Sequence, residues 1–286
     1  MDKRTNRLYK VFIYLCLVLL AVSIIVPVAW VFLSSLKANS EFQGNPWAVP
    51  SSLQWGNYVR AWKDAKMGDY FFNSVLTTSL GLFILLMVAV PCSYALSRME
   101  FKGKGLIVRL LRSGLFVNIS YIVIPIFLML LDWNRAFKKP LFTDNLVVLA
   151  VIYAATAIPF TVYLLSNYFR TIAKTYEEAA YIDGAGYFRT MTDIMIPMAK
   201  PSIITVILFN FLAFWNEYIM ALTILTDPAK RTLPVGLVNL MNAQRAAANY
   251  GPMYAGLVLV MLPTLILYIL VQKRLTEAMT VGGDKG

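Results

Sequence analysis

The sequence contains no histidine and only two cysteines, and charged residues make up just 14% of its 286 positions. Without histidine there can be no Ser-His-Asp or Cys-His nucleophile, and no zinc site of the usual ligand types. Cys16 and Cys92 both lie in apolar runs. They read as packing residues and carry no information about redox compartment. No Gly-x-x-x-x-Gly-Lys-Ser/Thr phosphate loop occurs, so any ATP hydrolysis must belong to another chain. Soluble domains carry roughly 25% charge. Here the deficit is matched by 59% hydrophobic residues, and several apolar runs approach or exceed the roughly 20 residues that cross a bilayer. The chain reads as an all-α polytopic membrane protein with one membrane domain over 1–286 and no soluble domain. Its net charge of +11 is scattered between apolar runs, which fits membrane orientation better than nucleic acid.

Six spans are predicted. Met1–Lys10 holds four basic residues, and an apolar run follows over about 11–36. That opening resembles a signal peptide, with Ala21-Val22-Ser23 weakly like a cleavage site. The run continues through Ile24, Ile25, Val26 and Trp30, so it is read as an uncleaved first span. Residues 37–70 are polar and hold Trp47, Trp55 and Tyr58, aromatics suited to a membrane interface. Further spans are expected at about 71–96, 113–131, 145–168, 202–225 and 252–271, making a core of about 71–272. Placing 1–10, 98–112, 169–201 and 273–286 on one side gives 16 Lys and Arg, against 10 on the other, over 72 residues each. The positive-inside rule then puts both termini and the 169–201 loop in the cytoplasm. Pro27, Pro91, Pro125, Pro159 and Pro263 fall within spans, and either hinged helices or simple kinked packing would account for them.

The polar interval from Thr175 to Pro201 carries the clearest local signals. Thr175 with Glu178 has the form of a capping box, and Glu177 and Glu178 put negative charge at the positive end of a helix dipole. Asp183-Gly184 is expected to close that short helix, since glycine accepts a left-handed conformation. A second helix should place Phe188, Met191, Met195 and Met198 near one face. Pro197 should end it, and Pro201 suits the first turn of the next. The expected product is a helix-turn-helix knob between two spans.

Glu178-Ala179-Ala180, Asp183-Gly184-Ala185, Ile194, Pro197 and Pro201 resemble the Glu-Ala-Ala loop of ABC-importer membrane subunits, with nine positions matching over 24 residues. Met191 departs mildly, since the family usually has phenylalanine there. The resemblance implies the type I ABC importer permease fold. It also implies that Glu177, Glu178, Ala179, Ala180, Asp183, Gly184 and Ala185 form a coupling helix seated in a groove of a separate ATPase. ATP and Mg would be bound there, and this chain would hold no cofactor and catalyse nothing.

In the fifth span, Asn210 and Glu217 are seven residues apart with Phe214 between them, so the three share a face. A carboxylate within a span costs about 3 kcal/mol on insertion scales unless it faces protein or water. Two readings stay open. The three residues line a translocation path, or they glue helices together. A membrane enzyme using Glu217 as acid or base is weakened by the lack of a second intramembrane carboxylate.

Trp215-Asn216-Glu217-Tyr218, Thr232-Leu-Pro-Val-Gly-Leu237 and Gln272-Lys273 resemble the carbohydrate branch of these permeases, the maltose-permease G-subunit type. Asp284 breaks the usual form of that branch's tail. The resemblance implies a sugar or oligosaccharide as solute, with amino acids, peptides or polyamines as the alternative. It further implies a second homologous permease subunit, two ATPase subunits, an extracytoplasmic solute-binding protein and a lipid surround in a bacterial-type inner membrane, with no nucleic acid.

Overall fold

The computed structural model describes residues 3–281. The Asp284-Lys285-Gly286 ending lies outside them. Among the described residues all regular structure is helical. The principal helices are α1 (Lys3–Ser35), α2 (Met67–Arg98), α3 (Lys104–Gly114), α4 (Ile119–Phe137) and α5 (Leu146–Thr171). There follow α6 (Thr175–Ile182), α7 (Tyr187–Met198), α8 (Lys200–Trp215), α9 (Ile219–Ile224), α10 (Leu233–Ala246) and α11 (Tyr250–Val281). Five are long and apolar enough to cross a membrane, and the bent pair α7–α8 is a candidate sixth.

Two expected spans differ from the sequence reading. The third does not begin at 113. Residues 104–114 form the separate helix α3, and α4 starts at Ile119, where the Asn118 side chain accepts the Ser120 amide. The fifth does not run unbroken from 202 to 225. It stops at Trp215 and restarts as α9. At 16 residues and about 1.5 Å rise per residue, α8 alone falls short of a hydrocarbon core of about 30 Å.

The chain forms two compact units. One contains residues up to Gly68 together with Gly236–Leu262. Its centre is Asn57, whose amide donates to the Ser35 and Lys37 carbonyls at 2.9 Å each and whose Oδ1 accepts from Arg60. Gly251 lies so close that a Cβ there would meet Asn57 Nδ2 at 2.5 Å, which leaves room only for glycine. Trp30, Phe42, Trp47 and Tyr254 form an aromatic cluster beside it. The Ser51 hydroxyl and amide and the Ala38 amide hold the Glu41 carboxyl below its ordinary range.

The other unit contains Asp69–Val235 and the chain from Pro263. Its larger core joins Leu85 and Ala89 of α2, Leu130 of α4, Leu149 and Tyr153 of α5, Phe214 of α8 and Ile224 of α9. A smaller core joins Val90 and Tyr94, Leu165 and Phe169, Met195, and Val206. Those residues come from α2, α5, α7 and α8, so this second core is the bed on which α7 rests.

Candidate functional site: the 175–201 knob and the broken fifth span

The knob begins one residue earlier than a capping box requires. Lys174 is the N-cap, Thr175 is already helical, and no side chain caps α6. The box is therefore not formed, although Glu177 and Glu178 do occupy the first turn. The other end follows expectation. Asp183 is the C-cap, Gly184 has φ +77°, the Ala185 amide donates to the Ala180 carbonyl at 2.8 Å, and the Gly184 amide to Tyr181 at 3.1 Å. This pair of bonds is a Schellman closure and satisfies two of the helix's orphan carbonyls.

The two glutamates diverge because neighbours on a helix point about 100° apart. Glu177 turns inward. Its carboxylate accepts from Tyr94 Oη at 2.9 Å and lies 3.3 Å from Arg98 Nε. Glu178 is exposed and makes no side-chain hydrogen bond or ion pair among the described residues. Ala180 is buried, whereas Ala179, Asp183 and Gly184 are exposed and Ala185 is half-buried. Tyr176, Tyr181, Ile182 and Phe188 are also exposed, Ile182 at 87%. Large exposed side chains on a short, closed helix and at the start of α7, with the exposed carboxylates Glu178 and Asp183, have the makeup of a protein-docking surface.

Phe188 is the exception to the expected apolar face. Met195 is fully buried and Met191 and Met198 pack against the smaller core, but Phe188 is 74% exposed. A wide turn over Thr190–Met195 shifts the helical phase between them. The helix also outlasts Pro197, ending at Met198 with a 73° bend before α8. Pro201 supplies the reason. It lacks the N–H that would reach the Pro197 carbonyl, and its ring crowds that carbonyl.

In the fifth span, the Asn210 amide donates to Thr161 Oγ1 at 3.0 Å and to the Val206 carbonyl at 2.7 Å. Phe214 is buried and stacks on Tyr153 at 5.2 Å. Glu217 lies in the break rather than within a helix. Its two oxygens accept the Met220 and Ala221 amides at 2.7 and 3.0 Å, and Oε2 also accepts from Tyr153 Oη at 2.8 Å. The carboxylate thus closes the N-terminus of α9 and ties it to α5. The Asn216 side chain donates back to the Leu212 carbonyl at 2.8 Å, helping to end α8. Farther along, the Thr232–Leu237 stretch is anchored to the start of α2. Ser74 Oγ accepts the Leu233 amide, and Asn73 donates to the Ala229 and Arg231 carbonyls.

Three partners escaped the sequence reading: Tyr94, Arg98 and Tyr153. The i, i+4 spacing of Tyr94 and Arg98 at the polar end of a span was the available signal for the first two. Nothing local marks Tyr153.

Apolar spans, a Schellman-closed knob between them and a broken fifth span define a polytopic membrane permease. Comparison with known proteins gives the family. Residues 66–279 match the model of the binding-protein-dependent transport system inner membrane component, and the chain belongs to that family. It is 32% identical to the diacetylchitobiose uptake system permease protein NgcG of Streptomyces coelicolor, over 97% of this chain and 90% of the relative. It is 30% identical to the trehalose/maltose transport system permease protein MalG of Thermococcus litoralis, over 99% of each. Its fold resembles a chain in the crystal structure of a bacterial ABC transporter involved in the import of the acidic polysaccharide alginate. That match has a TM-score of 0.80 and 24% identity, covering 96% of this chain and 98% of the other. Membership implies work with an ATPase and a substrate-binding protein.

Proposed function

We propose that this chain forms half of the translocation pathway of an ABC importer for a sugar or oligosaccharide. It pairs with a second, homologous permease subunit, is driven by two ATPase subunits and is supplied by an extracytoplasmic binding protein. The knob carries the reading. Glu178 stands free amid Tyr176, Tyr181, Ile182 and Phe188, on a helix held from beneath by the buried Ala180 and by the Glu177 contacts to Tyr94 and Arg98. The sugar assignment rests on the relatives, which are named for diacetylchitobiose, trehalose and maltose. Both termini and the knob lie on the cytoplasmic side, in line with the excess of basic residues there.

ATP binding would draw the ATPase pair together and carry the knob with it. The bend at Ala199 and the break at Asn216–Tyr218 are where helices can swing without tearing regular hydrogen bonds. The switch between inward and outward access is then a two-state equilibrium biased from both faces. Asn210, Phe214 and Glu217 serve the path as its frame, since their polar groups and rings are engaged inside the chain.

A calorimetric screen of the cognate binding protein, taken from the intact complex, should give a saturable signal with mono- or oligosaccharides. Binding of an amino acid, peptide or polyamine alone would refute the sugar assignment and leave the permease reading standing.

A further inference from the structure

Glu177 and Glu178 look equivalent in sequence, yet they face different surroundings. Glu178 faces outward, while the Glu177 side chain is only 12% exposed and that of its partner Arg98 only 6%. Three features make the Glu177 contact more than a local ion pair. Arg98 ends α2, and its Nη2 also donates to the carbonyl of Ile172, the C-cap of α5, at 2.5 Å. Tyr94, one turn earlier on α2, donates to the other Glu177 oxygen and packs edge-on against Phe169 of α5 at 5.7 Å. Tyr94 further meets Tyr187, the first residue of α7, at 5.7 Å. One carboxylate thus gathers the ends of two long helices and both arms of the knob.

Arg98 Nε, although 3.3 Å from Glu177, makes no hydrogen bond. Removing one partner of a buried ion pair is strongly destabilising, because the other charge is left uncompensated. Removing the Glu177 charge would therefore leave Arg98 buried without a counter-ion and free α6 from α2.

We propose that Glu177, Arg98 and Tyr94 form a strut that makes the knob move as one body with the end of α2, and that Glu177 is a positioning residue while Glu178 alone of the two meets the ATPase. The proposal rests on the coupling role assigned to the knob above. It adds how a displacement of the knob reaches a membrane span.

The test uses the whole complex in lipid nanodiscs, with Cys16 and Cys92 replaced by alanine. Spin labels are placed at Lys174→Cys, the exposed N-cap of α6 outside its apolar docking residues, and at Met87→Cys on α2, also exposed. The label distance is measured without nucleotide and after trapping with Mg-ATP and vanadate, and ATPase-subunit retention is recorded alongside. With the native strut, and with Glu178→Gln, one narrow distance should persist in both states. Glu177→Gln and Arg98→Gln should broaden it and shift it by several ångströms on trapping. The exchange Arg98→Glu with Glu177→Arg should narrow it again. ATP hydrolysed per molecule of the sugar found in the calorimetric screen should rise in Glu177→Gln. Where the charge variants do not assemble, Tyr94→Phe serves, because it removes one hydroxyl and should still broaden the distance. Unchanged, narrow distances in these variants would overturn the strut, as would a distance that changes on trapping in the native complex. Loss of the ATPase subunit from Glu177→Gln with an unaltered distance would make Glu177 a docking residue. Failure of the coupling reading itself shows differently, as full ATPase retention together with wild-type stimulated hydrolysis when the knob's own turn is disrupted.

Discussion

Gly184→Val is expected to insert and pair with its permease partner yet retain little ATPase subunit, or to retain it while binding protein no longer stimulates hydrolysis. Gly184 has φ +77° and closes α6 through the Schellman bonds. A branched side chain resists that conformation at a cost of about 1–2 kcal/mol. No atom lies within 4 Å of where its Cβ would stand. The strain is thus purely of the backbone, and the spans gain no polar group or clash. The turn should reopen, misplacing Ile182 and Tyr181 relative to Glu178. Glu178→Ala should be milder, because it removes one exposed carboxylate while the closure survives. Both variants are compared in one membrane preparation by subunit retention and by stimulated hydrolysis. Wild-type values for Gly184→Val on both measures would remove the case for this turn as a coupling element.

Glu217→Leu should abolish assembly, whereas Glu217→Gln should assemble and transport at near wild-type level per complex. The native carboxylate accepts three hydrogen bonds across the break, from Met220, Ala221 and Tyr153. Leucine removes all three. Losing a helix cap costs about 1 kcal/mol, and an orphaned buried donor adds about 1–3 kcal/mol. That is a large share of a stability usually near 5–15 kcal/mol. Glutamine keeps one accepting oxygen and the shape. Transport is measured with the sugar found in the calorimetric screen and normalised to assembled complex. If both variants assemble but transport poorly, Glu217 meets the solute rather than holding the frame.

These two residues also mark what could and could not be read from sequence. Gly184 was legible because a glycine after an aspartate at the end of a short polar helix has few other uses. The bend near Pro201 was legible in kind, since a missing N–H is a covalent fact, although the helix ran past Pro197 to Met198. The break at Asn216–Tyr218 was not, because the apolar runs on either side of Asn216-Glu217 add up to the length of one span. What stops α8 there is the back-bond from Asn216 to Leu212, and the Tyr153 hydroxyl that holds Glu217 comes from 64 positions away. The late start of α4 was hidden by Leu115, Phe116 and Val117, an apolar stretch that the fold leaves between α3 and α4. Thr175 with Glu178 shows the opposite failure, a correct local pattern that the fold does not use. The motif set Glu178 apart in sequence, but nothing there gave Glu177 a separate use, which shows only in the approach of Arg98 and Tyr94.

The proposed function stands on docking of the 175–201 knob on an ATPase subunit at the cytoplasmic face. Its most direct test is a benzophenone maleimide on Ile182→Cys, in a chain with Cys16 and Cys92 replaced by alanine. Ile182 is 87% exposed, so a label there should not disturb the fold. Illumination of the intact complex should link the chain to the ATPase subunit, and a membrane-impermeant thiol reagent should block the link only when applied from the ATP side. A label that never links to the ATPase subunit, or that is blocked from the opposite side, would contradict both the docking and the orientation.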